Sequence, residues 1–187
     1  MKTKQPDNSR KKKYWQNSDL IAIGTFAALD RSVGTLIVVL GGGMNLLAFI
    51  AKNMISTALL LILCYKVRKF GVITLYITTT FAVYFIVYGQ PPVYGFSMLP
   101  LCLLADCMIY FFGGYKSSLG LLCGVAFYDL AVRVNSILWK IIVTREDVSL
   151  MGVGLIITAV SYLGCLIGLP LGLKLLKELR HAGIVRQ

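Results

Sequence analysis

Charge is scarce in this sequence, and acidic charge is scarcer still: 14% of the 187 residues are charged, with 8 Asp and Glu against 19 Lys and Arg. A water-soluble domain carries about 25% charged residues, so this chain cannot clothe a soluble surface of its size. Histidine is almost missing, His181 being the sole one. Strings of the H-E-x-x-H, G-x-S-x-G and G-x-x-x-x-G-K-[ST] types are also lacking, which argues against metalloprotease, hydrolase and nucleotide chemistry. The sequence therefore predicts no enzyme, resident cofactor or metal, and any energy for transport must come from another protein. Internal repeats and low-complexity segments are absent, and no polar stretch is long enough to form a second domain.

What is there is apolar. Hydrophobic residues make up 57% of the chain, against about 45–50% in a soluble domain, and the mean hydropathy is +0.76. One crossing of a bilayer takes about 20 apolar residues, which leaves room for six or seven. The expected fold is an all-α membrane protein, a bundle of six transmembrane helices. The expected spans are Ser18 to Leu40, Met44 to Tyr65, Phe70 to Tyr88, Phe96 to Phe112, Ser118 to Val143 and Leu150 to Leu173. Ser18 and Asp19 open the first as helix-start residues, Gly89-Gln90-Pro91-Pro92 breaks the third, and Lys174 to Arg180 forms an amphipathic end to the last. The basic start followed by an apolar run resembles a signal peptide, but the run is too long and no A-x-A-like site follows it. The five cysteines, Cys64, Cys102, Cys107, Cys123 and Cys165, all fall inside apolar segments and read as small buried hydrophobes.

The formal net charge of +11 sits at the edges of these segments rather than on a nucleic-acid-binding face. Lys2, Lys4, Arg10, Lys11, Lys12 and Lys13 precede the first span; Lys66, Arg68 and Lys69 follow the second; Lys116 follows the fourth; Lys174, Lys177, Arg180 and Arg186 follow the last. The odd connections hold Arg145 alone, with Lys140 near the end of the fifth span. Positive connections stay inside, so both termini are expected in the cytoplasm. Residues 1–17 form a basic cytoplasmic tail, 18–180 the membrane domain and 181–187 a cytoplasmic C-terminal tail.

Asp30, Arg31, Lys52, Asp106, Asp129 and Arg133 lie within the spans, where a charge at the bilayer centre costs at least about 2.5–3.5 kcal/mol. They should face the protein interior. At about 1.5 Å of rise per residue, Arg31, Lys52 and Arg133 all lie about 12–15 Å below the outer surface, in one layer. That layer suits a pocket for an anionic or carbonyl-rich ligand, or else internal pairing with the three acids. Asp129 and Arg133, four apart, are the pair most favoured to bond each other. Tyr84, Tyr88, Gln90, Tyr94, Asn135 and Trp139 gather toward the same outer end, as a stacking ligand site or as an interfacial belt. Gly24 and Ala28, four apart in the first span, offer a close-approach face for another membrane helix.

Asp19-Leu-Ile-Ala-Ile-Gly-Thr-Phe-Ala-Ala28, the Ala105-Asp106 step, Gly114-Tyr-Lys-Ser117 and the ending Ala182-Gly-Ile-Val185 together resemble the Trep_Strep family of small bacterial membrane proteins. These are similar to the substrate-binding S components of energy-coupling factor (ECF) transporters. The resemblance implies six helices in the bacterial cell membrane, a micronutrient bound near the outer side, and assembly with a transmembrane T component and two ABC ATPases. In such S components an A-x-x-x-A motif on the first helix docks on the T component; here Gly24 replaces its first alanine. The ligand would be a vitamin, a cofactor precursor or a tetrapyrrole such as haem. Two alternatives stay open: an intramembrane enzyme acting on a lipid or prenyl substrate, with Asp106 and Asp129 as metal ligands or acid and base, and a stand-alone small transporter.

Overall fold

The computed structural model describes residues 14–41, 45–89, 92–142 and 151–181. All secondary structure among them is helical: α1 (Asn17–Leu40), α2 (Leu46–Val67), α3 (Val72–Tyr88), α4 (Pro92–Phe111), α5 (Ser118–Ile142) and α6 (Met151–His181). Four stretches, Asn17–Leu40, Leu46–Val67, Ser118–Ile142 and Gly154–Leu179, are long and apolar enough to cross a membrane, and α3 and α4 contribute shorter apolar runs. Large apolar side chains such as Ile21, Leu36, Phe111 and Ile156 are exposed on the outside. A surface of that kind needs lipid, and the chain is an all-α membrane protein.

The helix ends depart from the sequence-based expectation most clearly at the starts of α1 and α4. The cap of α1 is Gln16, whose N–H donates to Asp19 Oδ2 at 3.0 Å, so Asp19 serves in the first turn and not as the opening residue. Helix α4 starts at Pro92 rather than Phe96, because a proline in the first turn gives up an N–H that would have no partner there. Helix α6 runs unbroken through Pro170 and the expected amphipathic end to His181.

Small residues set the distances between helices. Gly164, Gly168 and Gly172 recur every fourth residue on α6 and lie against Ile50, Met54 and Ala58, which recur every fourth residue on α2. A Cβ on Gly164 would come within 2.6 Å of Ile50 O, and one on Gly168 within 2.5 Å of Met54 O. The paired numbers rise together, so α2 and α6 are parallel. This backbone-to-backbone approach is the small-x-x-x-small packing of membrane helices, here internal to the chain. Gly124 plays the same part between α5 and α4, where a Cβ would sit 2.1 Å from Ile109 Cγ1.

One end of the bundle is tied by polar contacts. Lys69 Nζ bonds Asp19 Oδ2 at 2.5 Å and Tyr14 O at 2.7 Å, joining the start of α1 to the α2–α3 turn. Asp106, fully buried on α4, accepts from Ile73 N at 3.3 Å, Thr74 N at 3.1 Å, Thr74 Oγ1 at 2.7 Å and Tyr115 Oη at 2.5 Å. The first-turn amides of α3 are thus capped by a carboxylate from another helix. Burial and the Asp106 carboxylate hold the Tyr115 phenol far above its ordinary range, which keeps it a donor. Gly113 and Gly114, at φ +104° and +75°, let the α4–α5 turn fold tightly enough to bring Tyr115 there. Around this end lie the fully buried Leu61, Leu63, Ile73, Ile109, Leu121 and Val125.

Candidate ligand-binding site

Toward the other end the helices part around three adjoining cavities of ≈ 250, ≈ 220 and ≈ 300 Å³, and Arg31 and Lys52 line all three. The first is completed by α2, α3 and α5 residues including Asn53, Ser56, Tyr76, Asp129, Arg133 and Ser136. The second lies between α1 and its neighbours, with Asp30, Gly34, Thr35 and Tyr84. The third has Ile77, Phe81, Met98, Tyr128 and Val132 beside Thr80 and Tyr84.

The basic residues are held in different ways. Arg31 Nη2 pairs with Asp30 at 3.3 Å, while Nη1 donates to Tyr84 Oη at 2.8 Å and the guanidinium lies 4.8 Å from the Tyr84 ring centre. Asp30 also accepts from Ser56 Oγ at 2.5 Å. The Lys52 stem lies along α1 where Gly34 lacks a side chain, 3.4 Å from where a Cβ would be. Lys52 Nζ meets no ion-pair partner among the described residues. Arg133 Nη2 reaches Cys165 Sγ at 2.9 Å on α6.

The expected Asp129–Arg133 pair is not formed. Asp129 accepts from Thr57 Oγ1 on α2 at 2.6 Å while Arg133 turns to α6. Four-residue spacing makes such a pair available on an isolated helix, but neighbouring helices offer each group a nearer partner. Asp106 is likewise absent from the walls of these cavities, being spent on capping α3. The charged layer therefore contains three bases, Arg31, Lys52 and Arg133, and two acids, Asp30 and Asp129. Asp106 and Asp129 are not assembled into one site.

No family model matches the chain, nor does any curated protein or solved structure. What the site does must be read from its own chemistry.

Among the described residues, three buried side-chain polar atoms lack a hydrogen-bond partner: Arg31 Nε, Arg133 Nε and Thr80 Oγ1. All three belong to residues lining these cavities. Asp106, by contrast, is fully satisfied, and an unsatisfied buried polar group costs about 1–3 kcal/mol.

Of the other expected site residues, Tyr84 lines two of the cavities. Asn135 instead ties α5 to α4, donating to Ser97 Oγ at 3.1 Å and Met98 Sδ at 3.5 Å. Half-buried Trp139 lines none of the three cavities. Gln90 and the side chains of Tyr88 and Tyr94 lie outside the described residues. On α1, Ala28 is exposed and a Cβ on Gly24 would meet open space, so this face points outward. Sequence reasoning passed over Tyr76, Thr80, Asn53, Ser56, Tyr128 and Ser136. A signal existed: Tyr76, Thr80 and Tyr84 recur every fourth residue along α3 and so share one face.

Proposed function

We propose that this protein is the substrate-binding S component of an ECF-type importer in a bacterial cell membrane, capturing an anionic micronutrient in the cavities around Arg31 and Lys52. The observation that carries this reading is the convergence of Arg31, Lys52 and Arg133 on adjoining cavities, where Lys52 and Arg133 have no ion-pair partner among the described residues. The excess of one base over the acids in the layer favours a ligand with a negative group, since an anion offsets the cost of a charge held in the membrane. Tyrosines at positions 76, 84 and 128 add flat, polar-tipped walls. All six helices then span the bilayer, with both termini in the cytoplasm as the basic tails and even connections require. The outward Gly24–Ala28 face of α1 meets the T component, whose two ATPases supply the energy the chain itself lacks.

Native mass spectrometry of detergent-extracted protein tests this directly. An anionic small molecule should co-purify with the wild type, and Lys52→Met should lower its affinity by about 1–3 kcal/mol, the range for a lost hydrogen bond to a charged group, with the melting temperature unchanged. Unchanged occupancy together with a lowered melting temperature would make Lys52 a structural residue and remove the anion site.

A further inference from the structure

With Asp30 and Arg31 paired, the charged layer still holds two bases and one acid that have no ion-pair partner among the described residues: Lys52, Arg133 and Asp129. All three line the ≈ 250 Å³ cavity, where Asp129 is the sole acid among the described lining residues. Each of the three is half-buried rather than sealed in the core. Opposite charges around one cavity in a membrane gain by closing on each other, since pairing offsets part of the cost of burial. These do not: Asp129 Oδ2 accepts from Thr57 Oγ1 at 2.6 Å, and Arg133 Nη2 reaches Cys165 Sγ at 2.9 Å.

A hydroxyl or a thiol supplies a hydrogen bond and leaves the charge uncompensated. A carboxylate has about four acceptor positions, more than the Thr57 hydroxyl occupies, so Asp129 can still receive a donor from the cavity. A simple acid bound at Lys52 and Arg133 would bring a like charge toward Asp129, which costs most where the surroundings are apolar. A ligand that also carries a basic nitrogen turns that repulsion into a second ion pair.

We propose that this cavity is an amphoteric site, in which Asp129 receives a basic nitrogen of the same small ligand whose acidic group lies at Lys52 and Arg133. The inference rests on the anion-site reading above and narrows the ligand to molecules that carry both an acidic and a basic group.

The test uses the full chain in detergent at pH 7 and a probe series of increasing charge separation, from glycine through 4-aminobutanoate to 6-aminohexanoate. Each amino acid is compared by calorimetric titration with the alkanoate and the alkylamine of the same chain length. At the chain length that spans the site, the amino acid should bind about 10- to 100-fold more tightly than its alkanoate, as one hydrogen bond between charged groups allows. Asp129→Asn should erase that preference from both sides, weakening the amino acid and strengthening the alkanoate, whose binding also reports that the variant is folded. Asp129→Glu should keep the preference. An alkanoate that matches its amino acid at every length, or a preference that survives in Asp129→Asn, overturns the role of Asp129 and leaves the anion site standing. Loss of both acids in Asp129→Asn makes Asp129 a structural residue and overturns it too. Failure of every carboxylate to bind the wild type overturns the anion site itself, so the two failures are told apart.

Discussion

At the start of α3, Asp106 collects four hydrogen bonds from two backbone amides, a threonine and a tyrosine, while in the layer of Arg31 and Arg133 two buried guanidinium nitrogens have none. Both places bury polar groups in an apolar bundle, at comparable expense to membrane insertion. The first is closed upon itself and joins the first turn of α3 to the turn after α4. The second is left open around cavities. A buried charge therefore marks function only where the protein has not already satisfied it.

Breaking the closed region should have the largest effect. Asp106→Leu strips the α3 amides and Tyr115 of their acceptor, and a loss of about 3 kcal/mol or more in unfolding free energy in mild detergent is expected. A variant as stable as the wild type would show that the polar hub contributes nothing. Next comes the α2–α6 seam, which fixes the level at which Lys52 and Ser56 face the cavities. Gly168→Ala places a methyl group against Met54 O and should cost about 2 kcal/mol by chemical denaturation, whereas Gly154→Ala, with open space around it, should cost nothing measurable.

Thr57→Val removes the one hydroxyl that holds Asp129 at 2.6 Å. A loss of about 1 kcal/mol is expected; a larger one would mean that Asp129 belongs with the closed region rather than the cavity wall. The smallest effect is expected at Gly24→Leu, where open space receives the side chain. Stability of the isolated protein should change by less than about 0.5 kcal/mol, while pull-down of a co-expressed T component should fail. A complex that survives Gly24→Leu would place the docking face elsewhere.

Much of the architecture was legible in the sequence because it depends on local quantities. Apolar run length marked the helices, glycine clusters and basic residues marked their ends, and the in-span charges stood out singly. The layer shared by Arg31, Lys52 and Arg133 followed from rise per residue alone, and these three do line adjoining cavities. The starts of α1 and α4 were misplaced because caps depend on side-chain geometry that composition does not show.

Partner choice was decided only by tertiary structure. Nothing in the spacing of Asp129 and Arg133 says that each will leave the other for Thr57 and Cys165, and nothing near Asp106 says that it caps a different helix. Those outcomes depend on the register and separation of neighbouring helices, which for α2 and α6 are set by backbone contact at Gly164, Gly168 and Gly172. The sequence by itself determined a helical membrane protein with charges that had to be buried. Which of those charges would be consumed by the fold, and which left facing a cavity, was settled by packing between helices, because a hydrogen bond reaches only about 3 Å and its partners lie far apart along the chain.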